Sequence, residues 1–221
     1  MLPRAYPHPF PATWRLTLAV VGCLVLHLVL AWLALWAAFV FVELVWRAVA
    51  GKADYRPLLA AHLSQLAVVR TAQGVLWACT AVVFLRWLGR AHGNLLALGV
   101  TGLRYAPRDA MRTLLLPGAM LLRPLRELWN ASDPRLPAGG AWSAHRMPAP
   151  VAWWWAGLLV ALVLEAASQV LALASGRALD LGPAMLTLVL GQVATIVAAV
   201  LGIAVVLGVD ARQEEAAWRR G

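Results

Sequence analysis

The sequence predicts an all-α membrane protein with four transmembrane helices and short interfacial or re-entrant helices between spans two and three. Three observations carry this. Of 221 residues, 62% are hydrophobic and only 13% charged, whereas a soluble domain carries about 25% charged residues. The apolar residues fall into four runs near or above the roughly 20 residues that cross a bilayer as a helix. The basic residues lie mostly between those runs, on one side of an alternating four-span chain. This composition excludes a soluble globular domain, a disordered chain and a disulfide scaffold.

Residues 1–15 hold Pro3, Pro7, Pro9 and Pro11 and read as an extended arm. The first span covers about 16–46. At about 45 Å as a helix it is too long for a signal-peptide core, and it reads as retained. Gly51 to Pro57 breaks the pattern, and an amphipathic stretch from Leu58 to Leu66 follows. The second span covers about 66–88, with a more polar continuation to Leu98 ended by Gly99. Segment 90–150 holds seven prolines and eight arginines. Its uncharged run Thr113–Leu122 is half the length a span needs and is split by Pro117-Gly118, which suggests two short amphipathic helices or a shallow re-entrant hairpin. Gly139-Gly140 reads as a linker. The third span, about 151–174, opens with Trp153-Trp154-Trp155. The fourth, about 183–209, starts on proline, where a missing N–H costs least. Residues 210–221 read as a polar tail, a short frayed helix.

The net charge is +9, and of 19 Lys+Arg only Lys52 is lysine. Because the arginines flank apolar segments, they suit anionic lipid headgroups and not nucleic acid. The side bearing the N-arm, segment 90–150 and the tail holds 14 of the 19 basic residues. The chain is therefore expected to be multi-pass, with both termini and segment 90–150 on the cytoplasmic side of the membrane. Cys23 and Cys79 lie inside apolar runs and read as small buried hydrophobes.

The intramembrane polar residues are Glu43, Arg70, Glu165, Gln169 and Gln192. Glu43 and Arg70 are expected at similar depth, where an ion pair would spare each an unpaired charge near hydrocarbon. Glu165, Ser168 and Gln169 share one face of span three, as Gln192 and Thr195 do on span four. A carboxyl that deep could carry a proton or bind a polar group; the blander reading is a glutamate tying helices together. His27 is the one histidine well inside a span. It could ligate a single chlorophyll-type pigment or haem, but a histidine bonded within the bundle is the commoner case. No cofactor and no metal are expected. In segment 90–150, Arg104, Arg108, Arg112, Arg123 and Arg126 form a candidate clamp on lipid phosphates or an acidic partner subunit, because guanidinium grips such groups with two parallel hydrogen bonds. Leu114 to Leu116 and Met120 to Leu122 would sink into the interface.

A set of short pieces runs from Trp87 to Pro134: Asn94-Leu95, Ala97-Leu98-Gly99, Leu103-Arg104-Tyr105-Ala106-Pro107, Pro117, Arg123-Pro124, Arg126-Glu127-Leu128-Trp129 and Ala131-Ser132-Asp133-Pro134, followed by Trp153-Trp154-Trp155. Together they resemble an uncharacterised bacterial membrane family, domain of unknown function 4328, over roughly Leu66 to Val209. Where that family has a Gly-Trp pair after position 107, this chain has Arg108-Asp109. Where it has aromatics before the second proline, this chain has Thr113 to Leu116. The resemblance implies a multi-span bacterial membrane protein and brings no activity with it.

No nucleophile elbow, zinc-protease helix, Cys-x-x-Cys or phosphate-cradling glycine loop is present. The expected function is a non-enzymatic accessory or scaffolding subunit that binds membrane lipids, subunits of a larger membrane complex, or both. The alternatives are a small transporter or channel using Glu165, a pigment- or haem-associated subunit through His27, and a membrane enzyme on lipid-like substrates.

Overall fold

The computed structural model describes residues 13–51, 56–113, 122–135, 145–174 and 182–220. Those residues form six helices and no strand: α1 (Trp14–Val49), α2 (Arg56–Ala97), α3 (Pro107–Thr113), α4 (Leu122–Ala131), α5 (Ala149–Ala174) and α6 (Gly182–Arg220). Four of them, α1, α2, α5 and α6, are long and apolar enough to cross a membrane. The protein is an all-α membrane protein. The N-arm to residue 12, Leu114 to Leu121 and Gly139-Gly140 lie outside the described residues.

Local chemistry sets the helix ends. Thr13 caps α1, its carbonyl accepting from the amides of Leu16 and Thr17 at 2.8 and 2.9 Å. Gly51, at φ 67°, follows the last turn. Helix α2 ends in a Schellman turn, with Gly99 N–H donating to the Leu96 carbonyl and Val100 N–H to that of Leu95, both at 3.0 Å. This needs the left-handed conformation that Gly99 adopts at φ 72°. Pro107 opens α3 and Pro183 falls in the first turn of α6, both at positions that need no N–H.

Two elements run further than the sequence suggests. The amphipathic stretch at Leu58–Leu66 is the first part of α2, since no proline or glycine interrupts the chain between Leu58 and Gln73. The supposed frayed tail continues α6 to Arg220. Buried Gln213, Ala216 and Ala217 anchor it, and an Arg219–Glu215 pair at 2.5 Å spans one turn.

The chain divides into two compact units. The first takes residues 1–23, 79–154 and 201–221. In it Trp87 is fully buried, donates its indole N–H to Thr17 Oγ1 at 3.2 Å and packs on Phe84, which also meets Trp154. Thr13 Oγ1 donates to Asp210 Oδ1 at 2.5 Å, which sets the start of α1 beside α6.

The second unit takes residues 24–78 and 155–200. Ala37, Ala38 and Phe41 of α1, Leu66 of α2, and Met185 and Leu188 of α6 form its core. His62 of α2 places a ring nitrogen 2.6 Å from the Ala37 carbonyl. A Cβ on Gly191 would come within 3.3 Å of Leu164 Cβ, so the absent side chain lets α5 and α6 close up. Outward faces carry large apolar groups, among them Trp32, Trp36 and Phe39. In the first unit Cys79 faces outward, and Cys23 is half-buried. Neither is the enclosed small hydrophobe expected from its sequence setting, because a membrane helix is apolar on every side and its sequence hides which side faces in.

Candidate functional site

Two polar constellations stand out, one in each unit. In the second unit Arg70 of α2 reaches Glu165 of α5, with Nη2 at 2.8 Å and Nε at 3.2 Å from Oε1. Arg70 Nη2 also donates to Ser168 Oγ at 3.3 Å, and Ser168 in turn donates to the Ala184 carbonyl. With its amide turned so that the oxygen faces the guanidinium, Gln169 accepts from Arg70 Nη2 and Nε at 2.9 and 3.0 Å. Gln192 of α6 donates to Glu165 Oε2 at 3.3 Å and accepts from Gln73 Nε2 at 2.7 Å. Three helices are thus tied through one ion pair and its amides, which gives every charge in the group a partner where hydrocarbon could not solvate it.

The expected Glu43–Arg70 pair does not form. Glu43 takes its own neighbour one turn on, Arg47, and both are exposed. Arg70 lies within a spanning helix, so it is also not a loop charge for orientation. The pairing error has a simple cause. Two residues at similar depth can sit on different helix faces, and the sequence shows depth better than facing. His27 is buried and packs on the Trp77 ring, centroids 4.3 Å apart.

In the first unit, the residues of the family pieces converge. The strap after α2 crosses Glu127 of α4. The amides of Arg104 and Tyr105 donate to its two carboxylate oxygens at 3.0 and 3.1 Å. Glu127 is buried, and that burial holds its carboxyl above the usual carboxylate range, against the pull of the Tyr105 and Arg104 amides and the Arg104 charge. Beside it opens a cleft of about 400 Å³ lined by Gly102, Arg104, Tyr105, Arg123, Arg126, Glu127 and Asn130. The strap bends at Gly102, whose φ of 75° favours glycine. Arg126 is held at the rim by donating Nε and Nη2 to the His145 carbonyl at 3.1 and 2.5 Å. Asn130 turns its amide N–H groups to the carbonyls of His145 and Arg146.

Of the five clamp arginines, Arg104, Arg123 and Arg126 meet at this cleft. Arg108 does not line it, and Arg112 lies 3.6 Å from Asp109 on the exposed face of α3. Arg108 and Arg112 project from a separate short helix, so spacing in the sequence did not translate into one surface. The apolar anchors Leu114 to Leu116, Met120 and Leu121 lie outside the described residues.

The same unit holds a buried amide network. Gln213 of α6 accepts from Asn94 Nδ2 at 3.1 Å and donates to the Ala91 carbonyl and to Ser132 Oγ at 2.9 and 3.2 Å. Trp129 lies over Gly208, where a Cβ would come within 3.0 Å of the ring. Arg212 stacks on the Trp129 ring at 4.2 Å and donates to its carbonyl. Sequence reading missed Gln213, Tyr105, Asn130 and the capping role of Glu127. The one available signal was that Asn94, Tyr105, Glu127, Trp129 and Ser132 all fall within the quoted pieces. Among the described residues, no group of three or more His, Cys, Asp or Glu is placed to hold a metal ion.

No curated protein and no solved structure matches the chain. A family model described as Domain of unknown function (DUF4328) matches residues 58–211, a stretch that includes the strap, the capping glutamate, the cleft arginines and Arg70 with Glu165. The match covers more than half of the chain, and this membrane protein belongs to the DUF4328 family.

Proposed function

We propose that the protein is a non-enzymatic accessory or scaffolding subunit of the bacterial inner membrane, attached through its first unit to anionic lipid or to an acidic surface of a larger complex. The observation that carries this is the convergence of Arg104, Arg123 and Arg126 from two elements on one open cleft, while the single acid there spends both oxygens on the strap amides. Arg104 and Arg123 belong to none of the ion pairs among the described residues, and such guanidinium groups favour phosphate or carboxylate from outside the chain. The positive-inside bias supports a cytoplasmic position for this unit and both termini. Glu165 is engaged by Arg70 and Gln192, which supports reading it as a fastening between helices and not as a proton carrier.

The test is to replace Arg104, Arg123 and Arg126 together with glutamine, confirm that the chain still inserts with unchanged orientation, and purify it in mild detergent. Loss of co-purifying lipid or protein is the expected result. An unchanged set of companions would refute the reading.

A further inference from the structure

Resting on that attachment reading, we infer that the cleft at Arg104, Arg123 and Arg126 is a binding site for a phosphate monoester, with Tyr105 closing one wall. Several features point to phosphate. The lining carries three guanidiniums against one carboxylate, an excess of two positive charges that matches a phosphate dianion. The carboxylate oxygens accept from two main-chain amides, and neither Arg104 nor Arg123 forms an ion pair with them. Arg104 and Arg123 are exposed and belong to none of the ion pairs among the described residues. Arg126 is braced by the His145 carbonyl, so part of the ordering cost is met before any ligand arrives. A volume of about 400 Å³ admits a phosphoglycerol-sized group, small for a folded peptide segment.

Position supports the same chemistry. The strap begins where α2 ends at Ala97. The same unit holds Trp14 at the start of α1 and Trp153 in the first turns of α5, both exposed. Tryptophans at the ends of spanning helices mark the level of lipid headgroups, which is where phosphate esters are densest. The phosphate can come from a lipid headgroup or from a soluble ester, and the two sources share this recognition.

The test uses the full chain in neutral detergent, with native mass spectrometry reading retained ligand. The probes are phosphatidic acid, phosphatidylcholine and sn-glycerol 3-phosphate. Phosphatidic acid should be retained at least about tenfold over phosphatidylcholine. Arg104→Gln with Arg123→Gln should weaken retention roughly fivefold for each arginine removed. Arg86→Gln with Arg90→Gln removes the same charge from exposed positions of α2 in the same unit and should change retention less than about twofold. The lysine versions of the cleft pair keep the charge and the fold but lose the planar fork, and should fall between. Retention of glycerol phosphate with the same variant dependence would assign a soluble source and also support the site. The inference is overturned if neither monoester probe exceeds phosphatidylcholine, or if the cleft pair and the α2 pair lose retention equally. In either case, a protein companion that the triple glutamine variant still strips away would leave the attachment reading standing without phosphate.

Discussion

Arg70 and Glu165, 95 residues apart in sequence, meet through two hydrogen bonds on a single carboxylate oxygen. With side chains 12% and 27% exposed, the pair is largely enclosed. Removing one partner would strand the other inside a spanning helix. Arg70→Gln or Glu165→Gln alone should therefore each cost about 3 kcal/mol of stability. Arg70→Gln combined with Glu165→Gln should cost less than the sum of the two singles, measured by thermal unfolding in detergent. Additive losses in that double-mutant cycle would show that the contact carries no coupling.

Glu43 should behave differently. Its partner Arg47 is one turn away and both side chains are about half exposed, a setting in which a pair contributes about 0.5 kcal/mol or less. Glu43→Gln should shift the melting temperature little, and its effect should add to that of Arg70→Gln. Strong coupling between positions 43 and 70 would contradict the observed pairing.

Gln213 holds three partners in a buried setting. Gln213→Leu leaves the Asn94 amide without its acceptor and the Ala91 carbonyl without this donor, and should cost about 2–3 kcal/mol. Hydrogen exchange should rise at the end of α2 and around Ser132 first, since those segments share the network. Exchange that rises evenly along the chain would argue against a local tie.

Glu127 gives a pH signature. Its folded carboxyl holds a proton more tightly than an ordinary carboxylate because burial disfavours the charge. A raised folded value means that the stability it contributes is full below the ordinary carboxylate range and is lost as pH rises through the folded value. Relative to Glu127→Gln, the wild type should therefore lose ground as pH goes from about 4 to about 7. Melting curves of both proteins across that range test it; a constant difference would show that Glu127 titrates normally.

The arrangement of the chain in the membrane is directly testable. A reporter fused after Gly221 or inserted at Gly139 should read as cytoplasmic, and one at Lys52 or Gly176 as external. An external reading at Gly139 would break the four-span order.

Much of the fold is legible in the sequence because crossing a bilayer demands length and apolarity, and both are counted along the chain. The four spans, the short helices between the second and third, and the special turns at Gly51 and Gly99 follow from local chemistry. Facing is another matter. A spanning helix is apolar all round, so no amphipathic stripe shows which side meets its neighbours. The sequence therefore determined that Glu165, Gln169 and Gln192 are polar groups within spans, with Arg70 read at the outer start of its own. Only tertiary packing decided that they form one network while Glu43 turns to Arg47. Likewise the arginines of segment 90–150 were countable, but three of the five share a cleft because Glu127 pins the strap to α4. That contact joins positions 22 and 23 residues apart, a distance over which neither helical period nor turn chemistry fixes which groups meet.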